Sequence, residues 1–91
     1  MPLKIWKYDI PIDNYIELDI PFPAKPIAFQ LQHGKPTLWC LVNPEAEASK
    51  HMFRFSGTGH PIIEELELLN YIGTVQMFNG DMVWHLFEIV S

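Results

Sequence analysis

The sequence is poor in cysteine, in basic residues and in long apolar runs. Its single cysteine, Cys40, cannot form a disulfide within the chain, which favours a reducing, cytoplasmic compartment. Six Lys and Arg stand against eleven Asp and Glu, a formal net charge of −5, and this acidity argues against a general nucleic-acid binder, which needs a basic footprint. No apolar run approaches the ~20 residues that cross a bilayer, so we expect a soluble protein with no membrane partner.

Close-spaced metal ligands and catalytic motifs are also missing. The four histidines, His33, His51, His60 and His85, form no His-x-His or His-x₃-His pair, and no Cys-x-x-Cys occurs, so we predict no metal site. No Gly-Lys-Ser/Thr follows a strand, which excludes a Walker loop. Cys40 lies in the apolar run LWCLV, where burial makes a thiol inert. We therefore predict no catalytic residue, no cofactor and a protein that is not an enzyme.

Apolar and polar residues alternate through most of the chain, whose length predicts one β domain, residues 1–91. In YIELDI, residues 15–20, three aliphatic side chains share one side, as in a half-buried strand. Further strands are predicted at residues 4–10, within 27–43, at 51–57 and within 68–90. About six to seven strands with at most one short helical turn predict an all-β fold, either an antiparallel sandwich or a small open barrel.

Proline and polar residues mark the connections between these strands. PFPAKP, residues 21–26, has three prolines and predicts a loop or an edge crossing. NPEAEASK, residues 43–50, predicts a surface loop with one helical turn begun by Pro44. PIIEELELLN, residues 61–70, fits a short helix or 3₁₀ turn through Ile63–Leu66 followed by a strand.

Two dipeptides that contain glycine predict tight hairpins. His33-Gly34 separates two strand-like runs, and Asn79-Gly80 is a favoured pair for a primed turn. Closure by two residues predicts the first set of cross-strand pairs, Phe29–Leu38 and Ile27–Cys40. The same closure predicts the second set, Met77–Met82, Val75–Trp84 and Thr74–His85, with His85 as a hydrogen-bonded partner of its neighbouring strand.

The stretch FSGTGHPI, residues 55–62, is the candidate functional corner. Gly57 and Gly59 permit positive φ, and successive backbone N–H groups around Thr58 can form an anion nest. The alternative is a bulged strand end that Pro61 stops. Ligand contact through this corner and a plain turn are both kept open.

Three further side chains complete the candidate site. Arg54 and His60 lie near enough in sequence to add charge to the corner, and the hydroxyl of Thr58 can add a hydrogen bond. Trp39, on the second face of its strand, is a candidate stacking platform or interface anchor. If the strands bring Trp39 and Arg54 together, the pair suits a stacked base and a phosphate. The acidic run Glu64-Glu65-x-Glu67 is either a solvated face or an electronegative contact patch.

The chain resembles a family of small proteins found in tailed phages and in bacteria that carry prophages. The likeness spans nearly the whole chain and is carried by four stretches: KIWKYDIPI, GKPTLWCLVNPEAE, FRFSGTGHPI and LNYIGTVQMFNGDMVWHLFEI. The family brings no established activity, so the resemblance implies no catalytic residue. It implies a small acidic accessory protein that works in the cytoplasm of the host cell.

Two functions follow from these observations. The first is a binding protein that occludes a host protein, such as a defence complex, and its support is the acidity and the surplus of aromatic residues. The second is a sponge, a small homo-oligomer that captures a nucleotide messenger, a small anionic ligand, through residues 54–60. Oligomerisation is expected in the second case, because one domain of this size offers little pocket volume.

Overall fold

Seven strands form two antiparallel sheets in the computed structural model, which describes residues 2–90. The strands are β1 (Lys4–Asp9), β2 (Tyr15–Pro21), β3 (Lys25–Gln32), β4 (Lys35–Val42), β5 (Ala48–Gly57), β6 (Leu69–Met77) and β7 (Met82–Ile89). Within residues 2–90 the helical structure is limited to two 3₁₀ turns, Leu66–Leu68 and Phe78–Gly80. The all-β prediction and the strand number are confirmed, and the architecture is sandwich-like rather than a closed barrel.

The two sheets have the strand orders β1-β4-β3 and β2-β5-β7-β6. The chain changes sheet between β1 and β2, between β2 and β3, and again between β4 and β5. In the second sheet β7 lies between β5 and β6 and is antiparallel to both, so β5 and β6 run parallel. Residues 58–68 must therefore cross from one end of this sheet to the other, and we call them the crossover segment.

Alternate residues of both sheets form the core between them. Phe53 and Phe55 of β5 and Leu86 of β7 are fully buried, and burying one such side chain stabilises the fold by about 1.5–3 kcal/mol. Phe55 stacks on Trp84 at 5.2 Å and meets Phe29 edge-on at 6.0 Å. Side chains of even number on β5 consequently point to the outer face of the four-stranded sheet.

The hairpin registers match the predictions at every pair except one. Phe29 lies opposite Leu38, but a bulge at Ile27 places Pro26 opposite Cys40, so the predicted Ile27–Cys40 pair is wrong. A bulge suits this position because Pro26 has no N–H to give to the ladder. All three pairs predicted across the terminal hairpin are observed.

The terminal hairpin closes through left-handed backbone. Asn79 and Gly80 have φ values of 56° and 89°, as in a type I′ turn, and the Asp81 N–H donates to the Phe78 carbonyl at 3.1 Å. Asn and Gly are the residue types that adopt positive φ in such a turn at least cost. His33-Gly34, at 51° and 78°, closes the first hairpin in the same way.

The predicted connections are longer than the observed ones. Strand β2 extends to Pro21 and β3 begins at Lys25, so the loop predicted at 21–26 is reduced to residues 22–24. Strand β5 already begins at Ala48, and the preceding loop contains no helical turn. The 3₁₀ turn expected at Ile63–Leu66 forms later in the chain, at Leu66–Leu68.

The molecule is flat. Its Cα extents are 42 × 32 × 16 Å, and its radius of gyration is 13.4 Å, against about 12 Å expected for a chain of this length. Flatness leaves much of the sheet surface and the strand edges exposed. Neither 3₁₀ turn within residues 2–90 has the length or the apolar character needed to span a membrane.

Candidate functional site

The predicted corner is a tight turn where β5 ends. The Thr58 N–H donates to the Val83 carbonyl at 3.1 Å, and the His60 N–H donates to the Gly57 carbonyl at 3.0 Å. Gly59 has a φ of +89°, which only glycine adopts without strain. Among the N–H groups of Gly57, Thr58, Gly59 and His60, those of Thr58 and His60 are thus already hydrogen-bonded within the fold. No two successive N–H groups of this turn are free, so the predicted anion nest does not form.

A close approach of His60 explains why residue 57 is glycine. A Cβ at Gly57 would lie 2.9 Å from His60 Cε1, and the His60 ring packs edge-on against Trp84 at 5.8 Å. His60 and Trp84 line an open depression of about 350 Å³ between this turn and the terminal hairpin. Asp81 lies in the same depression, and its negative charge opposes an anionic ligand there.

Arg54 is a structural clip and does not line the 350 Å³ depression. Its side chain is 6% exposed and lies on the outer face of β5, under the crossover segment. Nη2 donates to the Pro61 carbonyl at 2.9 Å, and Nε donates to Glu64 Oε1 at 3.1 Å. Nη1 donates to the carbonyls of Asn14 and Phe55, at 3.2 and 2.9 Å. Arg54 and His60 line a second open depression of about 380 Å³, so the two side chains lie together as predicted. All three guanidinium nitrogens bind acceptors within the protein, and ligand contact by Arg54 stays a prediction.

Glu64 and Tyr15 complete the clip. The Tyr15 hydroxyl donates to Glu64 Oε2, and the Arg54 guanidinium lies 5.0 Å from the centre of the Tyr15 ring. The hydrogen bond from Tyr15, with help from Arg54, holds the pKa of the Glu64 carboxyl below its ordinary value. The same hydrogen bond raises the pKa of Tyr15. Glu64 is therefore charged at neutral pH and fixes the crossover segment to β2 and β5.

Trp39 lies in a different sheet from the corner. It is on β4, opposite Lys7 and Ala28, and its neighbours Leu38 and Cys40 face the core, so Trp39 faces outward from the three-stranded sheet. Arg54 faces outward from the four-stranded sheet. The sandwich core separates the two side chains. The strands therefore do not bring Trp39 and Arg54 together, and the condition for their joint binding of a base and a phosphate is not met.

Thr58 joins a polar chain that ties the crossover segment to the sheet. Thr58 Oγ1 lies 2.7 Å from His85 Nε2, and His85 Nδ1 lies 2.9 Å from Thr74 Oγ1. Thr74 in turn contacts the Tyr71 hydroxyl at 2.5 Å. The prediction that His85 is a hydrogen-bonded partner of its neighbouring strand is confirmed. The two ring nitrogens of His85 thus contact one Thr hydroxyl each, and the tautomer decides which nitrogen donates.

The crossover segment carries the most exposed aliphatic side chains near the candidate corner. Ile63 and Leu66 are 82% and 83% exposed, and we call residues 62–68 the ridge. Glu65 and Glu67 are exposed on the same ridge, and neither forms an ion pair within residues 2–90. The functional corner predicted from sequence, residues 54–60, precedes the ridge. For the acidic run the sequence predicts either a solvated face or an electronegative contact patch.

Comparison with protein-family models finds a match that covers the whole chain. The family model described as Domain of unknown function (DUF7352) matches residues 1–91. The chain belongs to the DUF7352 family. No curated protein and no solved structure matches it.

A second polar cluster of this DUF7352 protein lies at the other end of β5. His51 Nδ1 is 2.7 Å from Glu88 Oε2, and His51 Nε2 is 3.3 Å from Ser49 Oγ. This is the order of hydroxyl, imidazole and carboxylate found in hydrolases. Sequence reasoning missed it, because Ser49 and His51 meet Glu88 only through the β5–β7 pairing. Within residues 2–90 no group of His, Cys, Asp and Glu is placed to hold a metal ion.

Cys40 has no part in either polar cluster. It is fully buried in β4, and burial raises the pKa of its thiol to about 11. At neutral pH the side chain is therefore a thiol rather than a nucleophilic thiolate. The structure supports the prediction that Cys40 packs in the core.

Proposed function

We propose that this DUF7352 protein is a non-enzymatic binding protein that docks a protein partner through the ridge. The observation that carries the proposal is the exposure of Ile63 and Leu66 on a segment that the buried Arg54 fixes to the sheet. A fixed apolar projection loses little conformational freedom on binding, which favours affinity.

The ridge is apolar at its most exposed points and acidic between them. Burying a side chain such as Ile63 or Leu66 stabilises a complex by about 1.5–3 kcal/mol before other costs. Glu65 and Glu67 flank these positions, and the whole chain has a net charge of −5. An apolar pocket with a basic rim is the complementary surface, because rim charges steer association and select the partner.

The partner that follows from the sequence resemblance is a host protein in the cytoplasm, and a defence protein is the first class to screen. The structure contributes the chemistry of the surface to this proposal, whereas the resemblance contributes the compartment and the class. A host protein with a basic, apolar-centred surface satisfies both.

Affinity capture with matched variants tests the role of the ridge. The double variant Ile63→Ser/Leu66→Ser should lose a partner that the wild-type chain captures from host lysate. Ile27→Ser, which replaces an exposed isoleucine of β3 outside the crossover segment, should keep it. Reversal of charge in Glu65→Lys/Glu67→Lys should slow association and weaken its salt dependence.

Two results would contradict the binding proposal. One is equal capture of the same partner by the wild type and the Ile63→Ser/Leu66→Ser variant, which would move the interface elsewhere. The other is a capture experiment in which no host protein binds the folded wild type more strongly than it binds the double variant. Circular dichroism of each variant is the control for intact sheets.

Nucleotide capture is the competing function, and the geometry of the corner disfavours it. Asp81 lies in the depression beside His60, and Arg54 is bound to Glu64 and backbone carbonyls. We expect no thermal shift with cyclic or linear nucleotides. A nucleotide at 100 times its dissociation constant would stabilise the fold by about 2.7 kcal/mol, and a shift of that size that Thr58→Val abolishes would establish the sponge instead.

The absence of enzymatic activity is also testable, at Ser49. A serine-directed fluorophosphonate labels hydroxyls that a histidine base activates. The Ser49–His51 distance of 3.3 Å is longer than a typical hydrogen bond to a hydroxyl, and we expect no labelling of Ser49 above that of the unfolded chain. The non-enzymatic assignment would be overturned if Ser49 were labelled in the wild type and in His33→Gln but not in His51→Gln.

A further inference from the structure

The sheet orders leave two strand edges uncovered on one side of the sandwich. Strands β3 and β6 lie alongside each other, with Phe29 of β3 packed on Gly73 of β6, so these edges cover one another. Strands β1 and β2 are the remaining edges of their sheets. An edge strand presents unpaired N–H and C=O groups, which are a template for pairing with another chain.

Strand β1 is exposed and has an apolar side chain on each face, beside the charged residues Lys4, Lys7 and Asp9. Its outward side chain Ile5 is 57% exposed, and Trp6, on the inner face, is 40% exposed. Lys7 is the charged residue nearest the middle of the strand, where a charge guards such an edge best. Its Nζ donates to Gln32 Oε1 at 2.6 Å, across β4. The ammonium group of Lys7 therefore points away from the free edge of β1.

Strand β2 is protected against pairing with its own copy. A symmetric antiparallel pair with full overlap of Tyr15–Pro21 is centred on Leu18 and sets Glu17 directly opposite Asp19 of the second copy. Like charges directly opposite each other destabilise a strand pair. Lys50 of β5 forms an ion pair with Glu17 at 3.1 Å, and Asp19 has no ion pair within residues 2–90. Each Glu17–Asp19 contact therefore holds two carboxylates against one ammonium group, and an excess negative charge remains. The acidic residues therefore act as a block on this edge.

Two symmetric registers overlap most of Lys4–Asp9, one centred on Lys7 and the other on Trp6, and their charges differ. Residues directly opposite each other in a sheet have their side chains on the same face. In a symmetric antiparallel pair of β1 strands, one residue must therefore lie opposite the same residue of the second copy, and the two-fold axis passes between these two. The register centred on Lys7 sets Lys7 against Lys7, which is unfavourable. The register centred on Trp6 sets Trp6 against Trp6, Ile5 against Lys7 and Lys4 against Tyr8, which joins aromatic and aliphatic surface without like charges.

We propose that a second copy of this chain pairs with β1 in antiparallel register about Trp6, giving a dimer with one continuous six-stranded sheet, β3-β4-β1-β1-β4-β3. The axis is perpendicular to the joined sheet, so both four-stranded sheets lie on the same side of it. Both ridges then face the same direction, and a partner with two sites gains avidity from binding both. The self-pairing rests on β1 alone and does not depend on the proposed function of the ridge.

Disulfide cross-linking in pairs tests the register while Trp6 is kept. A mixture of Ile5→Cys and Lys7→Cys chains should form a disulfide-linked heterodimer on mild oxidation, because opposite Cα atoms in an antiparallel pair lie about 4.5–5.5 Å apart, within disulfide range. Each variant alone should remain largely unlinked, since residue 5 meets residue 7 and not itself. Buried Cys40 does not compete.

Light scattering tests the dimer independently of any cysteine. The wild-type chain should have twice the monomer mass of 10.6 kDa, and Trp6→Lys, with an unchanged circular-dichroism spectrum, should be a monomer. A wild type that stays monomeric at every concentration would overturn the dimer. The register would be overturned if Lys7→Cys chains alone formed a disulfide-linked dimer as readily as the mixture of Ile5→Cys and Lys7→Cys chains. The capture of a partner by a Trp6→Lys monomer would leave the ridge proposal standing, so the two proposals fail separately.

Discussion

Removal of Arg54 should cost the protein a large part of its stability. Arg54 is 6% exposed, and Arg54→Ala removes its hydrogen bonds to Glu64 Oε1 and to the carbonyls of Asn14, Phe55 and Pro61. Glu64 then keeps only the Tyr15 hydroxyl as a side-chain donor. Breaking a buried ion pair by removing one partner destabilises a protein by about 3–5 kcal/mol. We expect about 3 kcal/mol, because the crossover segment lies at the surface and water can reach these acceptors once the side chain is gone.

The size of this loss makes the test decisive. A chain of this length has a free energy of unfolding of about 5–14 kcal/mol, and a loss of about 3 kcal/mol lowers its melting temperature by about 15 °C. Urea and thermal unfolding, followed by circular dichroism, measure both quantities. Arg54→Lys keeps the charge but not the planar fork of donors, so its loss should be intermediate.

A control from the same strand separates the clip from a general loss of charge. Lys50→Ala breaks an exposed ion pair of β5 with Glu17, and exposed pairs contribute little, so its melting temperature should stay close to that of the wild type. A shift below about 4 °C for Arg54→Ala, which corresponds to no more than about 1 kcal/mol, would refute the assignment of Arg54 as the clip of the crossover segment.

Three further predictions concern single side chains. Cys40, with its thiol pKa raised to about 11, should not react with a colorimetric disulfide reagent at pH 7 until the chain is unfolded, and rapid native labelling would show that the core opens. Glu64, whose pKa is lowered, stabilises the fold above its ordinary pKa of 4.5 and less as the pH falls through the lowered native value, so Glu64→Gln should flatten the acid limb of a stability-against-pH curve measured by urea unfolding. Gly57→Ala should expel His60 from Trp84, since the added Cβ meets the imidazole at 2.9 Å, and this should change tryptophan fluorescence while the far-ultraviolet spectrum is unchanged; an unchanged fluorescence would contradict the packing.

The elements that sequence predicts well here are those set by local chemistry. Alternation in 15–20 and 51–57 places the correct side chains in the core, and Asn79-Gly80 gives the correct register of the last hairpin because φ is positive at both residues. The bulge at Ile27 is the exception. Its cause is local, the missing N–H of Pro26, but its position depends on which strand Pro26 joins.

The candidate site could be predicted only in part because its parts are distant in sequence. Gly57 and His60 do meet at a turn, as the spacing implies. Arg54 is different, since its partner Glu64 reaches it only when the chain crosses the sheet between two parallel strands. That crossing follows from the sheet order β2-β5-β7-β6, which no local pattern in the sequence specifies. The assignment of strands to sheets also separates Trp39 from the site, because β4 and β5 lie in different sheets.

The clip and the exposed ridge are two consequences of one topological constraint. Parallel strands β5 and β6 require a crossover, and this one has no helix that could bury an apolar face against the sheet. The segment is held by polar contacts instead, from Arg54, from the Tyr15 hydroxyl and from the His85 chain at Thr58. Because polar contacts do the anchoring, Ile63 and Leu66 are not needed to attach the segment and can point to solvent. An apolar residue that the fold does not use is available to a partner, and this is why the ridge, and not the turn before it, is the surface to test first.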